Sequence, residues 1–183
     1  MYKVAVILAE GFEEVEAIAP VDLLRRAGIE CVTVSLSEER LVSSSRGIPM
    51  LADQSWEAFD FESCDGLVLP GGLAGTERLL ADARVEVLLR RYAAEGKLTA
   101  AICAAPTVLA KAGLLEGRRA ICYPGLEEKL RGATVCCERV VRDGTVITSR
   151  GMGTSVPFGL ALVEYFLGKE TADALAVKIV YKE

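Results

Sequence analysis

The chain has 183 residues, the size of one ordinary domain, and we expect a single domain over 1–183. Hydrophobic residues make up 51% of it and charged residues 26%, which excludes intrinsic disorder and allows a large buried core. The net charge of −5 comes from 21 basic and 26 acidic residues with no long run of either sign, so the basic footprint of a nucleic-acid-binding protein is absent.

The apolar segments of the sequence indicate the cellular location of the protein. No apolar stretch approaches the roughly 18 residues that a membrane helix needs. The chain enters a strand-like run at once, where a signal peptide would place a charged and then an apolar region. We therefore expect a cytoplasmic protein that has no membrane partner.

The absence of histidine limits the chemistry more than any other feature of the composition. It excludes a Ser-His-Asp triad, a Cys-His dyad and a histidine general base, and a homo-oligomer has no histidine to supply in trans. The six cysteines include no Cys-x-x-Cys pair, so we expect no zinc or other metal site. Any chemistry would have to use Cys, Glu, Asp, Lys, Tyr or backbone amides.

Apolar runs and helical patterns alternate along the chain. The predicted strands cover 4–9, 31–36, 48–51, 66–69, 98–102, 119–122, 140–141 and 146–148. The predicted helices cover 13–27, 84–95, 103–112 and 154–167, and a helical tail ends near 180. Pro20 lies inside the first helix and predicts a kink, and Gly28 ends that helix.

Fully apolar strands that alternate with helices predict an α/β fold, with one mostly parallel sheet and helices on both faces. In such a sheet, functional residues gather at the carboxyl ends of the strands. The segments to consider are 10–16, 70–75, 103–106 and 149–154.

The segment 70–75 follows a strand in the manner of a dinucleotide-binding loop. Pro70 stands where that fingerprint requires glycine, and the acidic residue expected at the end of the next strand is missing. A phosphate-binding loop ending in Gly-Lys-Ser/Thr is also absent from the sequence. We therefore expect no cofactor, and Gly71 and Gly72 instead offer backbone N–H groups to a cleft.

Cys103 lies between a predicted strand and a predicted helix, in the sequence Ala-Ala-Ile-Cys-Ala-Ala-Pro over 100–106. A sharp turn of this kind presents a side chain at the cleft, as in a nucleophile elbow. A helix N-terminus favours the thiolate, and the amides that follow can hold an oxyanion. Cysteines at strand ends are also common core residues, so the pattern permits a nucleophile without demanding one.

Glu13, Glu14 and Glu16 crowd the first turn of the first predicted helix. Three acids at a helix N-terminus are explained simply by the helix dipole. One of them could also face Cys103, because both segments lie at the same edge of the sheet. A buried carboxyl has a raised pKa and can donate a hydrogen bond to a thiolate or a sulfinate.

Two further features have simple structural interpretations. In the glycine-rich turn 149–155, Thr154 or Ser155 is the expected N-cap of the last long helix, although such a turn can also line an anion site.

Among the other cysteines, Cys31 is interpreted as a small core residue. Cys136 and Cys137 are adjacent, so on a strand at most one of them is exposed.

Five motifs together resemble the ThiJ/PfpI superfamily, in order and at its spacings over essentially the whole chain. They are Ala9 to Glu16, Val21 to Gly28, Leu69 to Gly72, Ala100 to Pro106 and Thr148 to Gly151. Within the superfamily, the chain is most similar to the DJ-1 subfamily, which contains a parkinsonism-associated deglycase, and above all to its bacterial YajL-type members.

The resemblance implies a flavodoxin-like α/β sandwich that forms a homodimer and uses no cofactor. It places the family's reactive cysteine on Cys103 and the glutamate hydrogen-bonded to that cysteine on Glu16. The family's oxyanion amides fall on Gly72 and Ala104. Its anion-contacting arginine, which reaches across from the partner subunit, falls on Arg46.

The sequence departs from the family at two positions. Many members have a His-Pro pair beside the cysteine, whereas here Tyr123 precedes Pro124, much as an aromatic residue does in YajL-type proteins. This argues against the protease-like branch, and it implies slow turnover because a phenol that titrates near about 10 is a poor base at neutral pH. Met152 replaces the proline of an Arg-Gly-Pro-Gly turn, a change that we expect to be local.

The resemblance implies a stress-protective deglycase or glyoxalase-like enzyme that acts on methylglyoxal or glyoxal and their adducts through Cys103 and Glu16. The alternative is a redox sensor or redox-gated chaperone, in which Cys103 becomes a sulfinate that protonated Glu16 stabilises. Both hypotheses use the same residues, so the motifs do not separate them. A thiamine-biosynthesis role is a weaker alternative, because no thiazole or phosphate site supports it.

Overall fold

The computed structural model describes residues 1–182, and apolar strands form its centre. Eleven strands lie within that range. In chain order they are β1 (Lys3–Leu8), β2 (Glu30–Ser35), β3 (Leu41–Ser43), β4 (Pro49–Leu51), β5 (Gln54–Ser55), β6 (Gly66–Leu69), β7 (Leu98–Ile102), β8 (Arg119–Ala120), β9 (Thr134–Val135), β10 (Val140–Asp143) and β11 (Val146–Ser149).

Seven of these strands form the central sheet, in the order β10-β11-β7-β6-β1-β2-β5. Every neighbouring pair is parallel except β10 and β11, which are antiparallel. Five consecutive residues of β1, from Val4 to Leu8, are buried, because helices cover both faces of a parallel sheet. The predicted α/β fold with a mostly parallel sheet is confirmed.

Six α-helices within the described range cover the two faces of the sheet. They are α1 (Glu14–Arg26), α2 (Leu73–Ala81), α3 (Ala83–Ala94), α4 (Pro106–Lys111), α5 (Ser155–Leu167) and α6 (Lys169–Lys178). α1, α5 and α6 pack over one apolar core, which contains Phe158, and α2, α3 and α4 pack over the other, which contains Tyr92. No helix of residues 1–182 is long and apolar enough to span a membrane.

Two short strand pairs lie outside the central sheet. β3 and β4 form an antiparallel hairpin, which contains the extra strand predicted at 48–51, and β8 pairs with β9 in parallel. Just beyond β3, Ser44 forms a bridge with Phe12 in the loop between β1 and α1. The hairpin is therefore anchored beside the beginning of α1.

The segment after β6 differs from the prediction, because α2 starts immediately after Gly72 where the sequence predicts only a loop. Gly72 has a φ of +88°, a conformation that glycine adopts without strain, so the chain can turn sharply into a helix there. The pattern missed this helix because Leu79 is its only large, fully buried side chain.

Two predicted helices have different details. α4 begins at Pro106 rather than at Cys103, because Cys103 has a φ of +65°, outside the helical range. α1 runs as one helix through Pro20, and Gly28 follows its end with a φ of +80°.

Four neighbouring strands bring the predicted functional segments to one edge of the sheet. β11, β7, β6 and β1 are adjacent and parallel, so their carboxyl ends lie side by side. The segments 149–154, 103–106, 70–75 and 10–16 follow these ends in the same order. The fold therefore places them together, as predicted.

Candidate active site

Cys103 occupies a strained turn directly after β7. Its φ of +65° is uncommon for a residue other than glycine. Two backbone hydrogen bonds hold the turn: the Cys103 N–H donates to the Ser149 carbonyl (3.0 Å), and the Tyr123 N–H donates to the Cys103 carbonyl (2.7 Å). Because these bonds fix the strained backbone, the half-buried side chain is presented at the carboxyl edge of the sheet.

Gly71 lets the groups of the site approach one another. A Cβ atom at this position would lie 2.5 Å from Oε2 of Glu16 and 2.6 Å from Cβ of Cys103. At the next residue, Gly72, a Cβ would lie 2.4 Å from the Gly11 carbonyl oxygen. Both glycines are therefore required by close contacts.

Glu16 is the acid that faces Cys103, which the sequence pattern alone did not decide. Its side chain is 1% exposed, accepts a hydrogen bond at Oε2 from the Gly71 N–H (2.9 Å) and is hydrogen-bonded to the Cys103 thiol. Glu13 is instead the N-cap of α1, and its carboxylate accepts from the Glu16 N–H (2.8 Å). Glu14 accepts from the Ser45 hydroxyl (3.1 Å). The three glutamates thus have three different partners.

Burial governs the electrostatics of the Glu16 carboxyl. Desolvation is the largest cause that raises its pKa, the charges of Glu13 and Glu14 add to the rise, and the hydrogen bonds from Cys103 and Gly71 oppose it. The net result is a pKa of about 7. A carboxyl with such a pKa holds a proton in a large fraction of molecules at neutral pH. It can therefore both donate and accept a proton there.

The Cys103 thiol is subject to opposing effects. Burial is the largest cause that raises its pKa, the Glu16 carboxylate adds to the rise, and the net result is a pKa of about 12. The backbone amides of Gly72 and Ala104 lower it, but burial and the Glu16 charge outweigh them, so the thiolate that we expected at the helix N-terminus is not favoured. When Glu16 holds a proton, its negative charge is gone and its hydroxyl can donate to sulfur. Protonation of Glu16 therefore favours ionisation of the Cys103 thiol.

Tyr123 and Gly151 border the space above Glu16. A Cβ at Gly151 would lie 3.3 Å from Cδ2 of Tyr123 and 3.9 Å from Oε1 of Glu16. The Tyr123 side chain is 51% exposed, so its ring forms an outer wall of the site. Met152, the other departure from the family pattern, is exposed beside this wall.

Arg46 lies on an exposed turn beside the beginning of α1. The Ser45 N–H donates to the Phe12 carbonyl (2.7 Å), and the Gly47 N–H donates to the Ser44 carbonyl (3.1 Å). These bonds fix the turn that carries Arg46 next to the loop between β1 and α1. The contact with an anion in a partner subunit stays a prediction.

Thr154 is the N-cap residue of α5, as predicted for the turn 149–155, but its side chain does not bond the first amides of the helix. The Thr154 hydroxyl accepts from the Gly151 N–H (3.1 Å) and contacts the Ser149 hydroxyl (2.7 Å), and the Ser155 hydroxyl donates to the Met152 carbonyl (2.8 Å). These hydroxyls stabilise the turn before α5 instead of capping its first amides, because a short 3-10 turn at Met152–Thr154 precedes the helix.

The remaining cysteines differ in exposure. Cys31, Cys64 and Cys122 are buried, and burial raises the pKa of the Cys31 thiol to about 12, which fits a core residue. Cys136 is half-buried and Cys137 is exposed. Among residues 1–182, no group of three or more Cys, Asp or Glu side chains is placed to hold a metal ion.

The sequence reasoning missed three groups that orient the site. The Glu13 side chain caps α1 and fixes the turn that carries Glu16, the Gly71 N–H holds the Glu16 carboxyl, and the Ser149 carbonyl holds the Cys103 backbone. Glu13 stands three residues before Glu16, which is an N-cap spacing, so this signal was available. The other two contacts depend on neighbouring strands and have no local signal.

Comparison of the chain with known proteins identifies its family. Residues 2–165 match the DJ-1/PfpI family. Protein dj-1beta of Drosophila melanogaster is 42% identical over 173 residues, which cover 93% of this chain and 92% of the fly protein. A protein of Pyrococcus abyssi that is named a deglycase is 34% identical over 153 residues, covering 82% of this chain and 91% of that protein. The structure of oxidized Toxoplasma gondii DJ-1 is 36% identical, with a TM-score of 0.95 and 100% of both chains covered.

The chain therefore belongs to the DJ-1/PfpI family, and its α/β fold is the flavodoxin-like fold of that family. This confirms the resemblance drawn from the five sequence motifs. The structure brings Cys103, Glu16, Gly72 and Ala104 together, and the chemical roles of these residues stay predictions.

The close approach at Gly71 yields a test of the site's geometry. We expect Gly71→Ala to lower the free energy of unfolding by about 1–3 kcal/mol, because the new methyl group overlaps Cys103 and Glu16 in a tightly packed region. Gly153→Ala is the matched control, since nothing lies within 4 Å of its added Cβ. Urea unfolding of the three proteins measures the difference, and equal stabilities of the two variants would contradict the described packing.

Proposed function

We propose that this chain is a cytoplasmic, stress-protective enzyme that removes methylglyoxal or glyoxal, or their early adducts on amines, without a cofactor. The observation that carries the proposal is the convergence of a thiol, a carboxyl with a pKa of about 7 and two backbone amides at Cys103. The relative from Pyrococcus abyssi that is named a deglycase supports the same class of substrate.

In the first step, the Glu16 carboxylate takes the proton of the Cys103 thiol, and the resulting thiolate attacks the aldehyde carbon to form the carbon–sulfur bond of a hemithioacetal. The electron pair of the carbonyl moves to its oxygen. The N–H groups of Gly72 and Ala104 stabilise the negative charge that develops there, because they already point at the thiol. The proton held by Glu16 then passes to this oxygen and leaves a carboxylate.

In the second step, the Glu16 carboxylate removes the proton from the carbon that carries sulfur, and an enediolate forms. That proton returns to the neighbouring carbon, and the hydroxyl proton moves from the sulfur-bearing carbon to the neighbouring oxygen, which gives a thioester of Cys103. Water hydrolyses the thioester to a 2-hydroxy acid and the free thiol. One carbon is oxidised and its neighbour is reduced, so no external oxidant or reductant is needed. A carboxyl with a pKa of about 7 is suited to both proton transfers at neutral pH.

With a glycated amine as substrate, only the first step differs. The carbon that was the aldehyde now carries a hydroxyl group and the amine. The thiolate displaces the amine, which leaves with a proton from Glu16. The same hemithioacetal results. The exposed outer wall at Tyr123 leaves the site accessible to an adduct that is larger than a free aldehyde.

The second candidate function is an oxidation sensor that acts through Cys103. It is favoured by the strained, half-buried cysteine whose neighbour Glu16 can hold a proton and donate it to a sulfinate oxygen. A relative of known structure, Toxoplasma gondii DJ-1, is described as oxidized. This candidate requires the carboxyl as a hydrogen-bond donor but not as a proton carrier.

The enzyme proposal predicts that the chain forms lactate from methylglyoxal in a buffer without amines or thiols. Cys103→Ser should reduce the rate to background, because the nucleophile is lost. Glu16→Gln should reduce it at least about 100-fold, because the amide keeps a hydrogen-bond donor but does not transfer protons. The measurement is lactate formed per minute, which does not count reversible adducts.

Cys137→Ser is the matched control, because that thiol is exposed and lies outside the site, and it should leave the rate unchanged. Background rates in the wild type would contradict the glyoxalase reaction and favour the sensor. A rate in Glu16→Gln equal to that of the wild type would contradict the assigned role of Glu16.

We also propose that the partner of this chain is a second copy, which would bring Arg46 to the neighbouring site. The support is apolar surface on α1 and on the hairpin beside it: Ile18 is 47% exposed, Ile48 is 51% exposed and Leu51 is 62% exposed. Exposed apolar residues on neighbouring elements are typical of an interface between copies.

Sedimentation equilibrium tests this proposal. The wild type should have about twice the 19.6 kDa mass of the chain, and Ile18→Glu should shift it toward the single chain. Val87→Glu is the control, because Val87 is 68% exposed on α3, on the other face of the sheet. A wild-type mass of one chain, or equal effects of the two variants, would contradict the assignment.

A further inference from the structure

A second cleft lies at the carboxyl ends of β1 and β2, apart from Cys103. It has a volume of about 590 Å³ and opens between the segment after β2 and the junction of α2 with α3. None of the residues assigned to the candidate active site lines it. The packing of α2 on the loop between β1 and α1, where the Gly75 N–H donates to the Gly11 carbonyl (3.3 Å), separates the two places.

The floor of this cleft is apolar. Leu8, Leu36 and Val42 line it, with exposed fractions of 0%, 9% and 3%. A floor of this kind stabilises an apolar group of a ligand by removing its surface from water. The volume is in the range of sites that hold small molecules.

Two of the charged side chains on the rim, Arg84 and Asp82, already have partners. The Arg84 guanidinium donates to both carboxylate oxygens of Asp82 and, through Nη2, to the Leu36 carbonyl (3.0 Å). The salt bridge between Nη2 of Arg84 and Oδ2 of Asp82 is 2.7 Å long. Arg84 also forms a salt bridge with Glu57 (2.5 Å), so its charge is compensated and its side chain is a fixed part of the wall.

The other two charges on the rim, Glu10 and Arg78, are not compensated. Arg78 donates only to the Ala74 carbonyl (3.1 Å), and Glu10 accepts only the Ser43 N–H (2.9 Å). Among residues 1–182, neither side chain has an opposite charge within 4.0 Å. The cleft thus presents one free positive and one free negative charge above an apolar floor.

We propose that this cleft binds a free α-amino acid with an apolar side chain. Its carboxylate pairs with Arg78, its ammonium group pairs with Glu10, and its side chain lies on the floor formed by Leu8, Leu36 and Val42. Only a zwitterion satisfies both free charges at once, because a simple carboxylate leaves Glu10 unpaired and a simple amine leaves Arg78 unpaired. The site is independent of the proposed reaction at Cys103.

Isothermal titration calorimetry of L-leucine into the full chain tests the proposal. Arg78→Gln and Glu10→Gln should each weaken binding at least about tenfold, because each removes one ion pair. Both side chains are exposed at the rim, so circular dichroism should show the wild-type fold. Arg131→Gln, which removes an exposed arginine outside the cleft, should bind like the wild type.

Two ligand analogues and one further variant complete the test. 4-Methylpentanoate lacks the amine and isoamylamine lacks the carboxylate, so each should bind at least about tenfold more weakly than leucine. Cys103→Ser should bind leucine like the wild type, which separates this site from the proposed enzyme activity. The proposal is overturned by no leucine binding up to about 10 mM, by equal binding of either analogue, or by loss of binding in Cys103→Ser.

Discussion

The hydrogen-bonded contact between the Glu16 carboxyl and the Cys103 thiol is the interaction on which the rest of the site depends. Two acidic groups that share a buried place cannot both ionise easily, so at neutral pH the pair keeps at least one proton. Whichever group holds that proton sets the chemistry of the other. Gly71 permits this contact, because a side chain there would overlap both partners.

The fold supplies this contact from three separate parts of the chain. β1, β6 and β7 are parallel neighbours, and the segments that follow them carry Glu16, Gly71 and Cys103 to one edge. The Ser149 carbonyl, from the end of the adjoining strand β11, holds the strained Cys103 backbone. A chain without histidine thus brings a thiol, a carboxyl and two backbone amides together at one edge of its parallel sheet.

The sequence predicts the elements that depend on local pattern and misses those that depend on contacts between strands. The apolar runs of β6 and β7 are correct to the residue, since a buried parallel strand is apolar throughout. The sequence analysis does not predict α2, because the apolar pattern of this helix is weak and a glycine turn precedes it. The choice of Glu16 over Glu13 and Glu14 came from family resemblance, because only the tertiary structure shows which carboxylate turns inward.

Infrared titration of the Glu16 carboxyl tests the account most directly. The carbonyl-stretch band of the protonated carboxyl, taken as the difference between wild type and Glu16→Gln, should be present at acidic pH. It should disappear with a midpoint near pH 7, because burial raises the pKa of this group from 4.5 to about 7. A midpoint near 4.5 would show that Glu16 is already ionised at neutral pH and would contradict its role as proton carrier.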